Sequence, residues 1–459
     1  MARTAAGTNS AQAAIVKSIL AWAVAAVVVL VATAHVGRAQ SPSATLAEPV
    51  VSLDAAVAMA LRQPSQYEQA EVEAKVAQED VRQARSAFLP TFSLPLSYTY
   101  SSPLHGPDQR GVPILSRPPA FIANDGINVY ELFGAAVGEL DLSGRLRASL
   151  DRSRANVVRA QAAALVARRG LVSSVTESYY ALSLARSRRV LAEDVAASAD
   201  EFVSITRVLF EAGEVAEADL VKARAESSAR VDETWQARAA EREAAETLNA
   251  LTGLAFGSIP NVDDITARAP DPADVAGLSV DRVALRPEFA AADAEIRAAD
   301  ADVRIAKADR RPSLGYAVFA GINDTTIAPS RDLGVSAAVT LTVPLFDWGA
   351  TKSRQRQAEL RREAAARERA RTERVLQSEF WIARAHTDSA VERVRASASG
   401  VDDARRSLDL ATLRYRAGEA PSLEVIDARR VYAERRGAFV QAMFDYRVSL
   451  DQLRRASGQ

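Results

Sequence analysis

The chain has 459 residues, 57 basic and 58 acidic side chains, a formal net charge of −1 and no cysteine. That length accommodates two domains or one elongated one, and the balanced charge offers nothing to a nucleic-acid partner. With no cysteine, thiolate metal sites, disulfides, a catalytic thiol and a lipid on an N-terminal cysteine are excluded.

Arg3 and Lys17 precede an apolar run from Ile19 to Ala34, and Gly37-Arg38-Ala39 sets small residues at −3 and −1 of a cut before Gln40. This is the pattern of a signal peptide over residues 1–39. The run is short for a retained membrane anchor. Removing 1–39 leaves 54 basic against 58 acidic residues, net −4.

Residues 40–50 read as a polar leader. A short helix follows from Leu53 to Leu61, interrupted at Pro64, and a second runs from Tyr67 to Phe88 until Leu89-Pro90 stops it. From Thr91 to Tyr100, Phe92, Leu94, Leu96, Tyr98 and Tyr100 alternate with polar residues and Pro95, the period of a strand with one apolar face. Pro95 cannot donate to a ladder, which predicts a bulge there or a strand end. Residues 101–128, rich in proline and glycine, form a long loop, and a second strand spans about 129–142.

A helix then runs from 143 to 210, with Leu171, Val175, Tyr179, Leu182, Val195, Phe202, Ile205 and Leu209 as an apolar stripe. Glu211-Ala212-Gly213-Glu214 reverses it, and a return helix covers 217–251. The irregular stretch 252–280 joins two halves.

After the join the order repeats: strands at about 313–320 and 335–345, a helix from 350 to 414, a reversal at Tyr415-Arg416-Ala417-Gly418-Glu419, and a return helix over 422–456. Gly213 and Gly418 are 205 residues apart, as are Gly144 and Gly349. Residues 40–280 and 281–459 therefore read as two structural repeats. In the second strand pair the apolar residues Val335, Ala337, Val339, Leu341, Val343 and Leu345 fall on odd numbers. The helix after it, at 1.5 Å per residue, is a rod of roughly 95 Å. Four strands cannot close a membrane barrel, and lipid forbids open edges, so the chain must oligomerise; three copies supply twelve strands.

Four segments carry a family likeness: Leu53 to Leu61 with Pro64, Phe88-Leu89-Pro90, Val343-Pro344-Leu345-Phe346-Asp347-Trp348-Gly349, and Tyr415 to Glu419 followed by Leu423 to Arg429. In order, spacing and duplication they make the chain similar to the TolC family of outer-membrane efflux proteins over nearly all of residues 50–456. The resemblance implies a mixed α and β fold. Its homotrimer would have a twelve-stranded β-barrel in outer-membrane lipid and a long α-helical barrel across the periplasm. It also implies two partners, a periplasmic adaptor (membrane fusion) protein and an inner-membrane transporter. Many members carry an N-terminal lipidated cysteine; this chain has none, so the barrel alone is expected to hold the membrane.

A conduit performs no bond chemistry, so its functional groups are those that line or gate it. Glu424 and Asp427 share a helix face at spacing three. Two readings stand side by side: acidic residues favoured at a helix start capped by Ser422, or, as the resemblance implies, an acidic ring constricting the periplasmic mouth. In the second, Arg429 or Arg430 would reach them from a neighbouring helix. Gly213 and Gly418 suit turns that need positive φ. The resemblance places these turns, with Glu214 and Glu419, at the adaptor contact.

His35, His105 and His386 are far apart in sequence and form no ligand cluster, so no metal or cofactor is expected. Neither is enzymatic activity, because no nucleophile elbow or phosphate loop occurs. The function expected is passive export of small toxic compounds. An exit duct for a secreted polypeptide or polysaccharide, or a pore-less periplasmic scaffold, are the alternatives; the alternating strands speak against the last.

Overall fold

The computed structural model describes residues 50–100, 128–324 and 333–458. The expected signal peptide, most of the leader, and the greater part of both strand-connecting loops lie outside these residues. The elements are α1 (Leu53–Ala60), α2 (Gln66–Ser86), β1 (Thr91–Ser93), β2 (Leu96–Tyr100), β3 (Asn128–Leu140), α3 (Arg145–Glu211), α4 (Glu217–Thr252), α5 (Pro287–Ala308), β4 (Ser313–Asp324), β5 (Gly334–Thr342), α6 (Ala350–Arg416) and α7 (Ser422–Ala456). Short 3₁₀ turns at Pro272–Asp274 and Val280–Leu285 interrupt the join.

The two long helices, α3 and α6, each have 67 residues, and their return helices 36 and 35. Each long helix is thus a rod of roughly 100 Å. No proline interrupts either one, so every interior amide can donate to its turn. Both start beyond a left-handed glycine, Gly144 at φ 79° and Gly349 at φ 86°. Both reversals use the same device. Gly213 and Gly418 have φ of 80° and 77°, and the following glutamate amide closes the turn, Glu214 N–H to Leu209 carbonyl and Glu419 N–H to Arg414 carbonyl, each at 2.9 Å.

Three expected elements differ in detail. The strand over 91–100 is two pieces, because Leu94 and Pro95 leave the ladder; the Pro95 carbonyl still accepts from Phe133 N–H at 3.2 Å. The strand over 335–345 ends at Thr342, two residues before Pro344. The strand over 313–320 continues to Asp324, because Gly321 to Asp324 keep pairing with β3.

The sheet is antiparallel, in the order β1/β2, β3, β4, β5. The register pairs Leu96 with Leu132, Leu132 with Ile322, Val318 with Ala337 and Leu314 with Leu341. The packed core lies in the helices. One cluster joins Val175, Tyr179, Leu182, Leu248 and Val262 to Ala56 and Ala60 of α1. A second gathers Leu376, Phe380, Met443, Tyr446, Leu450 and Leu453 with Ile265 and Leu278. The join stitches the two: Val262 sits in the first and Ile265, three residues on, in the second. Tyr179 hydroxyl donates to the Val51 carbonyl and accepts from Asp263 N–H, and burial pushes that hydroxyl's pKa well above the ordinary tyrosine value. Near the reversals, Phe202, Val203, Leu220, Ala411, Tyr415 and Val425 bring α3, α4, α6 and α7 into one core.

Candidate functional site

Two surfaces stand out, one on the sheet and one at the helical tips. Cross-strand partners share a face of a sheet and alternate residues change face. The register therefore assigns Leu96, Tyr98, Tyr130, Leu132, Ile322, Val318, Tyr316, Leu314, Val335, Val339 and Leu341 to one face. Ser97, Thr99, Glu131, Phe133, Glu139, Ser313, Phe319, Ser336, Thr340 and Thr342 occupy the other. The first face is apolar and open; Leu96, Val335 and Val339 are 70%, 78% and 71% exposed. Such a surface is what a bilayer core covers. From Tyr130 to Leu140 it spans ten steps of about 3.4 Å, or roughly 26 Å at a tilt near 40°, the height of an outer-membrane apolar band.

The polar face carries Glu131, which accepts from Ser97 hydroxyl at 2.8 Å, and Glu139, which takes Arg145 at 2.5 Å. Both outer strands, β1/β2 and β5, have only one partner among the described residues. Among those residues no helix is long and apolar enough to cross a membrane.

At the tips, Glu424 is in the first turn of α7 and Asp427 follows one turn later. Arg414 of α6 donates to Glu424 at 2.6 Å, while Arg430, on the same helix as Asp427, bridges Asp427 at 3.0 Å and Glu434 at 2.8 Å. The expected role for Arg429 is not met. Its guanidinium is turned back onto α3, donating to the Ser198 carbonyl and lying over the Phe202 ring at 5.1 Å. Burial there pushes its pKa down.

Ser422 is not the cap either. Pro421 holds that position, and Ser422 hydroxyl, buried, donates to Asp219 Oδ1 of α4 at 2.7 Å. Gly213, Glu214, Gly418 and Glu419 are all exposed at the end of the rods.

The first helical pair is tied to the second by several polar contacts that sequence reasoning did not identify. Besides Ser422 to Asp219, Arg416 meets Glu201 at 3.1 Å, Arg436 meets Asp194 at 3.2 Å, and the Thr206 and Tyr415 hydroxyls lie 3.2 Å apart. The repeat offset could have flagged Asp219, because it falls opposite Glu424 in the first half. Among the described residues no cluster of histidine or carboxylate side chains could hold a metal.

Comparison with known proteins agrees with this geometry. Residues 56–254 and 279–459 match the model of the family described as outer membrane efflux protein. Outer membrane protein OprJ of Pseudomonas aeruginosa is 27% identical over 333 residues, 70% of this chain and 68% of that protein. The fold is shared with the CmeC outer membrane channel of Campylobacter jejuni, at a TM-score of 0.79 and 19% identity over 88% of this chain and 85% of that one. It is shared also with the open state of the MtrE outer membrane channel of Neisseria gonorrhoeae, at 0.75 and 19% over 92% and 98%.

An open apolar sheet face continued by rods longer than a bilayer is the architecture this chain shares with those outer membrane channels. The chain belongs to the outer membrane efflux protein family, and so acts in transport at the outer membrane and extends from it into the periplasm.

Proposed function

We propose that the protein is the outer-membrane duct of a tripartite export system, passively conducting small toxic compounds delivered by an inner-membrane pump through a periplasmic adaptor. The observation that carries this reading is the four-position sheet with an apolar face and two open edges. An edge in lipid leaves amides and carbonyls without partners at several kcal/mol each. A homotrimer removes every edge by pairing β5 of one protomer with β1/β2 of the next, closing twelve strands. The polar face then lines the lumen, and α3, α4, α6 and α7 continue it as a helical tube.

In this arrangement Glu424 and Asp427 form an acidic constriction at the periplasmic end, their charge partly offset by Arg414 and Arg430. The exposed turns at Gly213-Glu214 and Gly418-Glu419 are the surface offered to the adaptor. The division into two repeats, 40–280 and 281–459, supplies two similar helical hairpins per protomer, so three protomers present six tips.

The test is assembly together with topology. A membrane-extracted protein that runs as a heat-modifiable trimer, with Asp324→Cys labelled by an impermeant maleimide on intact cells, supports the reading. A monomer, or labelling only after lysis, refutes it. Increased dye and detergent sensitivity of a deletion strain then separates small-compound export from secretion of a polymer.

A further inference from the structure

The junction between β5 and α6 exposes an aromatic pair that the sheet does not need. Leu345, Phe346 and Trp348 are 91%, 75% and 91% exposed, and the rings of Phe346 and Trp348 meet edge to face with centroids 4.8 Å apart. Among the described residues Trp348 is the only non-glycine with positive φ, at 55°, a left-handed conformation that a bulky residue adopts at a cost. Between the rings, Asp347 is tied to the helix start, accepting from Gly349 N–H at 3.1 Å and Thr351 N–H at 2.6 Å. The carboxylate is held by α6 and the rings on either side are left outside. A strand-to-helix junction does not require this. In the first half, the residue before the left-handed glycine is Ser143, and it is buried.

Position and charge bear on what would cover the rings. Thr342, the last residue of β5, pairs with Ser313, the first of β4, so the junction lies where the sheet gives way to helices. Val343 and Leu345 continue the odd-numbered apolar series of β5 in sequence. Tryptophan and phenylalanine favour the plane between acyl chains and headgroups. The same level is basic. Arg310 and Arg311 lie just ahead of Pro312 and β4, and Lys352 lies in the first turn of α6, all exposed. Arg311 donates to the Ser143 carbonyl at 3.1 Å, and no carboxylate among the described residues pairs with Arg310 or Lys352. Arg354 is held only loosely, 3.6 Å from Asp309 and 4.0 Å from Asp347. Basic side chains at a membrane boundary draw in anionic lipid.

We infer that the Leu345–Trp348 junction is a phospholipid-binding anchor: its rings seat in the periplasmic leaflet of the outer membrane, and Arg310, Arg311 and Lys352 bind the phosphate of an anionic lipid beside them. This rests on the apolar sheet face being lipid-facing, and it adds a lipid class and a site to that reading.

The test uses the full trimer in nanodiscs with Trp348 as the sole tryptophan, through Trp22→Phe, Trp235→Phe and Trp381→Phe. The lipids are phosphatidylethanolamine and phosphatidylglycerol, one or the other brominated near the headgroup end of its chains. Trp348 fluorescence should be quenched, and brominated phosphatidylglycerol should quench at least about twofold more than brominated phosphatidylethanolamine at equal content. Arg310→Glu with Lys352→Glu should remove the difference. A companion with Val339→Trp and Trp348→Phe in the same background reports the sheet face. If that companion is quenched and Trp348 is not, the anchor is overturned while the lipid-facing sheet stands. If neither is quenched, the lipid-facing reading falls too. Equal quenching by both lipids would overturn the anionic preference.

Discussion

Replacing Glu424 and Asp427 together by alanine should invert the charge preference of the proposed mouth rather than merely weaken it. The reason lies in the partners. Glu424, Asp427 and Glu434 stand with Arg414 and Arg430, so the group carries −1 per protomer and −3 per trimer. Removing two carboxylates leaves +1 and +3. For charges about 8 Å from the axis in water at physiological salt, a net charge of three corresponds to roughly one RT, or an approximately threefold enrichment of the opposite ion. Cations should pass from about threefold enriched to about threefold depleted. The pairs are solvent-exposed and contribute little to stability, so the trimer should persist. Reversal potentials across planar bilayers in a potassium chloride gradient measure this, with divalent-cation block as a second reading. An unchanged reversal potential in an intact trimer would show that these carboxylates do not line the conducting path.

Gly321→Ala should disrupt the sheet. A Cβ there would collide with the Leu132 carbonyl oxygen and come within 2.8 Å of Phe133 Cα, immovable backbone atoms whose overpacking costs about 1–3 kcal/mol or more; loss of the heat-modifiable band measures it. Gly138→Ala should be milder, because it meets the far end of the Tyr316 side chain, which can swing away. Glu241→Ala should cost about 2 kcal/mol in urea unfolding, because this buried carboxylate takes Arg186 at 3.2 Å and Arg189 at 2.6 Å, while Arg186 keeps Asn261 and the Pro260 carbonyl and Arg189 keeps Glu193. A change below about 1 kcal/mol would refute that.

Acidification should loosen the join near Arg286. Burial pushes the Glu288 carboxyl up, but the hydrogen bonds from Arg286 outweigh it and hold it below its ordinary 4.5. A carboxylate depressed on folding stabilises fully above its unfolded pKa, and that contribution is lost as pH falls below 4.5 and through the lower folded value. Glu288→Gln should therefore flatten the fall in melting temperature on the acid side of 4.5, as differential scanning fluorimetry would show.

Much of this protein was legible in its sequence because its elements are long and locally encoded. An unbroken run of helix-forming residues without proline makes a helix whatever it packs against, so the rods of α3 and α6 and their return helices could be read to within a few residues. Glycine at 213 and 418 marks the reversals because tolerance of positive φ is a property of the residue itself. Alternation exposed the strands, and the register then sorted their faces as the odd and even positions had done.

Tertiary structure decided what depends on where strands and side chains meet. Pro95 splits its strand without shifting its register, Ser93 still facing Ala135 and Leu96 facing Leu132, and β4 runs on to Asp324 because β3 offers partners that far. At the tips, the acidic residues could be named, but their partners could not. Arg414 comes from across a reversal, Arg430 from the same helix, and Arg429 turns away to the Ser198 carbonyl and the Phe202 ring. Ser422, next to a proline at a helix start, has the sequence of a cap and instead bonds Asp219 of another helix. Helical periodicity tells which residues share a stripe. Which stripe faces which is set by the packing of four rods, and that information is spread over the whole chain.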